Sequence, residues 1–274
     1  EMHTVEQLGL LKMDFLGLRN LSIVDRTLEL IGSESLDIDN LKLDDEKTFK
    51  LFAEGKMTGV FQLESRVAQS TSRSLKPKRF EDIVALVALI RPGPLGAGMH
   101  NEFADRANNR KEIEYLHSDL ESILNETYGV ILYQEQVMQI AEKIAGFNLQ
   151  EADNLRVAMG KKIPKVMEEQ RKKFTDGAVS NNYSEQFAIE LFDQIAYFAG
   201  YGFNKSHSVP YALLAYQTAY LKANYPAEYI AACLTAVKRD KDRTAIFLSE
   251  ARDMGVKVST PDVNLSSSDF TVND

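Results

Sequence analysis

The sequence is poor in the residues that build metal centres and cross-links: one cysteine and four histidines in 274 residues. With Cys233 alone no intramolecular disulfide can form, which fits a reducing compartment. Cys233 lies in the apolar run Ile230-Ala231-Ala232-Cys233-Leu234 and reads as core rather than nucleophile. The histidines are scattered and form no zinc constellation. No apolar run approaches the roughly 20 residues of a membrane-spanning helix. The first residues, Glu1-Met2-His3, are not a signal peptide, and there are no internal repeats or low-complexity segments.

What is present is an ordinary globular composition, 44% hydrophobic and 9% aromatic. It suffices for a large core in one large domain or two smaller ones. The net charge of −8 does not announce nucleic-acid binding, but its distribution is uneven. Glu29 to Glu46 holds seven acids against Lys42 alone, Arg66 to Arg91 six bases against two acids, and Arg156 to Lys173 seven bases against two acids. A basic face on an acidic body suits a polyanion partner; each basic cluster alone also reads as a solvated helix face.

Periodicity predicts a mainly α, multi-helix fold with one short β segment near the start. Gly9 to Leu16 alternates like a strand, placing Lys12 and Asp14 on one face. An acid and a base sharing a strand face suggest a salt bridge or a polar site. Helical spacing follows over Leu18–Ile31, stopped by Gly32. Residues 33–47 read as a polar excursion, with Asp44 or Asp45 capping a helix over Glu46–Ala53. Phe80–Ile90 reads as a buried helix ended by Arg91-Pro92-Gly93-Pro94. Tyr128 to Gln136 begins as a strand-like run and turns helical, with Val137, Ile140, Ala141 and Ile144 in helical register and Gly146 as the stop. Further helices are expected over Leu149–Met159, from Pro164 to about Asp176, from the Ser184 cap through Phe187, Leu191, Ile195 and Phe198, from Pro210 to Asn224, from Pro226, and over Thr244–Met254. Pro261 to Asp274 reads as a linker.

Between two of these helices lies Ala199-Gly200-Tyr201-Gly202-Phe203-Asn204-Lys205-Ser206-His207-Ser208-Val209-Pro210-Tyr211. Glycines flank an aromatic, so the backbone can approach a ligand closely. An amide, an ammonium, a hydroxyl and an imidazole follow, all able to donate hydrogen bonds. A helix start at Pro210 would add N–H groups suited to an anion. The same composition fits a polar inter-helix loop with a cap.

Several stretches together resemble one family. Leu11-Lys12-Met13-Asp14-Phe15-Leu16-Gly17-Leu18-Arg19, Phe61-Gln62-Leu63-Glu64-Ser65-Arg66, Ala85 through Pro94, Tyr128 through Met138 and the central loop with Tyr211 through Ala227 are similar, in order, to the end of the palm and the fingers of the bacterial replicative DNA polymerase III α subunit. The phrase around Asp14 is of the DnaE type of this C family. The resemblance implies template-directed nucleotidyl transfer with two Mg²⁺ ions held by palm aspartates. It makes Asp14 a catalytic metal ligand and Lys12 its active-site neighbour. It makes Arg156 a contact for the incoming triphosphate; on a nucleotide-positioning reading Lys161, Lys162, Asn204, Lys205 and His207 join it, with Tyr201, Phe203 or Tyr211 packing by base or sugar. Arg66, Arg73, Arg91 and Lys165 become DNA contacts, and Glu135 shares with Arg91 the plainer option of tying loops together. Two positions depart from the family pattern: Val157 stands where many relatives carry a second arginine, and Val67 where a glycine is common.

The expected organisation is residues 1–32 as a sliver of palm, 33–258 as fingers and 259–274 as a linker, excised from a longer cytoplasmic protein and inactive alone. Partners implied for that longer protein are primer-template DNA, the sliding clamp, a proofreading exonuclease subunit and a clamp-loader subunit, with no membrane. Two other readings stay open at this point: a non-catalytic helical DNA-binding module, whose binding falls with salt, and a structural helical domain.

Overall fold

A computed structural model describes residues 2–11, 13, 15, 17–32, 36–161, 164–199 and 202–273. The fold is mainly helical. In chain order the α-helices are α1 (Met2–Gln7), α2 (Asn20–Ile31), α3 (Glu46–Glu54), α4 (Arg66–Leu75), α5 (Phe80–Leu89), α6 (Pro92–Gly96), α7 (Met99–Ala107) and α8 (Glu121–Leu124). They continue as α9 (Gln134–Ala145), α10 (Leu149–Lys161), α11 (Pro164–Ser180), α12 (Glu185–Ala199), α13 (Lys205–Asn224), α14 (Pro226–Val237) and α15 (Lys241–Asp253).

The boundaries follow local chemistry. Gly32, Gly55 and Gly146 end α2, α3 and α9 in the left-handed conformation, which glycine adopts without steric cost. Asp45 and Ser65 accept the N–H of Thr48 and Ala68 to start α3 and α4, as N-caps do. Ser184 accepts the N–H of Phe187 at the head of α12. Two starts differ from the sequence expectation. The last helix begins at Lys241, because the Asp240 carboxylate accepts the N–H of Arg243. The long helix begins at Lys205, five residues before Pro210, because Asn204 Oδ1 accepts the N–H of His207 at 2.8 Å. Pro210 therefore lies inside α13, on its exposed side.

No strand occurs among the described residues, so the β segment expected near the start is not observed. Of that stretch, Leu10, Leu11, Met13 and Phe15 have no regular structure and are exposed. A strand needs a neighbour to complete its hydrogen bonds, and none of the described residues supplies one.

The chain forms two compact units, residues 1–36 with 225–274, and residues 37–224. In the first, α14 packs on α2 and α15, and Cys233 is buried as expected. The tail beyond Pro261 makes contacts by α14: Phe270 donates its N–H to Thr235 Oγ1 at 3.1 Å, and Asp269 pairs with Lys238.

The second unit has two apolar cores. One gathers α3, α4, α5 and α7 around α13. The other joins α9, α10, α11 and α12. The segment before α9 runs between them: Val130 and Leu132 belong to the first core and Ile131 to the second. Burial on both faces explains why this segment reads as a strand without belonging to a sheet. Its backbone is held by Gln136, whose Oε1 accepts the N–H of Leu132 at 2.9 Å and of Tyr133 at 3.0 Å. The Gln136 amide in turn donates to Thr127 Oγ1 at 2.8 Å, and Thr127 donates to Val130 O at 2.6 Å. Gln136 and Thr127 are both buried. Gln136→Leu strands two buried N–H groups, and the denaturant midpoint is expected to fall by the equivalent of about 3 kcal/mol.

Candidate functional site

Residues from three distant segments meet where α9 and α13 begin. An isolated parallel bridge joins Tyr133 to Phe203. Phe203 donates its N–H to Leu132 O at 3.1 Å, and Gln134 donates to Phe203 O at 2.9 Å. The bridge sets the starts of the two helices beside each other. The carboxylate of Glu135 then crosses to the N–H of Lys205, at 3.0 and 2.9 Å from its two oxygens. Lys205 Nζ lies 2.6 Å from Glu126 Oε2 and 5.5 Å from the centre of the Tyr133 ring. Burial first, and then the Glu126 and Glu135 carboxylates, raise the Tyr133 phenol well above its ordinary range.

On Phe203 the arrangement becomes a stack. The Arg91 guanidinium sits 4.3 Å from the Phe203 ring centre, a cation–π distance, and also donates Nε–H to Ala88 O at 3.0 Å. Burial lowers its pKa from the ordinary arginine value, and the group stays charged at neutral pH. His207 meets Phe203 edge-on with centres 5.5 Å apart, and Tyr211 at 4.2 Å with the rings tilted by 34°. Phe61 follows at 5.4 Å from Tyr211. His207 and Tyr211 are one helical turn apart on α13, so their rings share a face. Ser208 fixes that turn to α5 through Val84 O at 2.7 Å. A planar cation, three aromatic rings and an imidazole in sequence suit a flat, partly anionic ligand.

The other predicted residues stand elsewhere. Arg156 lies on α10, half-buried, with its guanidinium on Asp153 at 2.8 Å. Lys161 closes α10 and Lys165 lies exposed in the first turn of α11. The α10 and α11 helices pack on each other and on α9, the helix that starts at the stack. Arg66 and Arg73 are exposed at the two ends of α4. Lys12, Asp14, Lys162 and Tyr201 fall outside the described residues, as does the expected Mg²⁺ ligation by Asp14. Among the described residues no three acidic, histidine or cysteine side chains converge as a metal site. A cleft of about 920 Å³ opens between α7 and α12, and none of the predicted residues lines it.

Sequence reading grouped Asn204, Lys205 and His207 at one site, set Arg91 apart as a DNA contact and left Glu135 as an option; the structure places Arg91 on the same stack. It missed Glu126 and Tyr133. Nothing local marks Glu126, which stands 79 positions before its partner Lys205. Tyr133 was hidden in an apolar run whose period carries no polar signal.

Comparison with known proteins gives one consistent answer. The family model described as the bacterial DNA polymerase III alpha subunit finger domain matches residues 20–182. The chain is 50% identical over 273 residues to DNA polymerase III subunit alpha of Saccharopolyspora erythraea, covering 97% of this chain and 23% of that protein. It is 48% identical over 282 residues to the subunit of the same name from Escherichia coli, covering 98% of this chain and 24% of the relative. For the one from Mycobacterium tuberculosis the identity is 48% over 272 residues, with 97% and 23% covered. The chain therefore spans about a quarter of the length of these relatives.

Proposed function

The chain belongs to the bacterial DNA polymerase III alpha subunit finger domain family, and from that premise we propose that it positions an incoming deoxynucleoside triphosphate and the primer-template for nucleotidyl transfer. The observation that supports this reading best is the stack of Arg91, Phe203, His207 and Tyr211, assembled from α13 and two loops. Its flat faces suit a base or sugar. Arg156, Lys161 and Lys162 carry the phosphate side, where a cluster of cations neutralises developing charge. Asn204 contributes through the cap that orients His207. Lys205 belongs to the site through the loop it holds. Arg66, Arg73, Arg91 and Lys165 supply the contacts to DNA.

Within the longer protein, residues 1–32 are the end of the palm, 33–258 the fingers and 259–274 a connection onward. There the stretch from Gly9 to Leu16 takes strand form beside further palm strands, with Asp14 as a metal ligand and Lys12 beside it. Mg²⁺ supplies nucleophile activation and charge neutralisation when bound. The clamp, exonuclease and clamp-loader contacts, and the cytoplasmic location, are proposed for that longer protein. No helix among the described residues is long and apolar enough to cross a membrane. One carboxylate cannot organise two metals, so these 274 residues alone are expected to give no primer extension.

The test is a thermal melt with and without a dNTP and Mg²⁺. The expected result is a ligand-dependent rise in melting temperature, as mass action requires of a ligand that binds only the folded state, and its loss in Arg156→Ala. Salt-sensitive DNA binding with no nucleotide effect would instead favour a DNA-binding module built on the exposed Arg66, Arg73 and Lys165.

A further inference from the structure

We infer that Lys205, Glu126 and Glu135 form an internal clamp that positions the stack, and that Lys205 does not itself contact the ligand. The inference rests on the proposed nucleotide site and refines it. Two features of the geometry carry it.

The first is the side-by-side start of α9 and α13. Each helix N-terminus carries a partial positive charge, and the bridge between Tyr133 and Phe203 brings the two together. Glu135, in the first turn of α9, places its carboxylate on the first N–H of α13, and Asn204 takes the N–H of His207. The start of α13 is thereby served by the protein's own carboxylate and amide. A phosphate arriving there would have to displace Glu135.

The second is Lys205 itself. A lysine in the first turn of a helix sits against the positive end of the dipole. It is tolerated here because Glu126 meets it at 2.6 Å and the Tyr133 ring lies below it. With Glu126 paired to the ammonium and Glu135 seated on the backbone N–H of the same residue, this corner carries no positive surplus for a triphosphate. Glu126 is also tied down, since its backbone oxygen accepts from Arg79 Nη2 at 2.8 Å. The clamp is therefore anchored in the segment that carries Tyr128, remote in sequence from the stack it steadies. Glu126 and Glu135 are positioning residues for Phe203 and His207.

The experiment measures equilibrium binding of a dNTP with Mg²⁺ to the full chain and to Lys205→Met, Glu126→Gln and the double variant. Backbone amide exchange at Ser206 to Ser208 is followed in parallel. In Lys205→Met the Glu126 carboxylate loses its counter-charge, the amides exchange faster, and Kd rises about tenfold, a factor equivalent to 1.4 kcal/mol. Adding Glu126→Gln removes the surplus charge and returns both amide protection and Kd to within about threefold of the parent. A double variant that regains protection but still binds as weakly as Lys205→Met overturns the inference, because Lys205 then touches the ligand. If the parent chain binds no dNTP, the site reading fails. The clamp then stands or falls on amide exchange alone: equal, additive changes in the two single variants and no recovery in the double overturn it.

Discussion

Lys222→Ala is expected to lower stability by about 4 kcal/mol, through a cavity and two stranded acceptors. The Lys222 side chain is fully buried on α13. Its Nζ donates to Lys56 O at 2.7 Å and Thr58 O at 2.8 Å. These carbonyls belong to the turn after α3, which leads into Val60, Phe61 and Leu63 of the first core. Lysine is almost never fully buried without partners; here it serves as a cap for a loop that has no helix or sheet to satisfy it. Lys222→Met keeps most of the volume and loses the hydrogen bonds, so it should cost about 2 kcal/mol. Urea unfolding of the parent and both variants measures the ladder. Equal stability of the methionine variant and the parent would show that the carbonyls find other donors.

Gly177→Ala is expected to cost about 3 kcal/mol, at the upper end of overpacking effects. On α11, Phe174, Gly177 and Ala178 share one face, Asn181 follows just beyond the helix, and that face lies against the end of α9. A Cβ on Gly177 would fall inside contact distance of the Ala145 carbonyl oxygen. This is backbone, not a side chain that can swing aside. The neighbouring Asn181 amide donates to Ile144 O at 3.0 Å, so the close approach also places a cap on the last turn of α9. The alanine variant must push α9 and α11 apart, opening the second core. Circular dichroism melts are expected to show the loss, on the order of 6–12 °C for a unit of this size. An unchanged melting temperature would mean that the helices can separate freely.

These two positions show where the sequence is silent. Gly177 sits in a highly charged helix and looks like a defect in propensity, and Lys222 looks like one more surface cation. Both gain their meaning from a partner about 30 or more than 160 positions away. By contrast, elements whose cause is local were legible. Gly32, Asp45, Gly146, Ser184 and Pro226 each end or open a helix where read. Pro210 misled because proline favours the first helical position, whereas Asn204, a stronger start signal, stands six residues earlier. The run before α9 reads as strand-like because burial between two helical cores gives the same pattern as a strand. For the site, Arg91, Asn204 and His207 were legible as candidates because loop composition and the family motifs marked them. Their assembly on Phe203, and the paired carboxylates behind them, were not.

The central claim is that the ligand sits on the stack at the start of α13. An amide-resolved NMR titration of the chain with a dNTP and Mg²⁺ tests it most directly. The account predicts shifts concentrated at Arg91, Phe203, Asn204, His207 and Tyr211 and along the end of α10 near Arg156. Shifts confined to the cleft between α7 and α12, or none at saturating nucleotide, would contradict it.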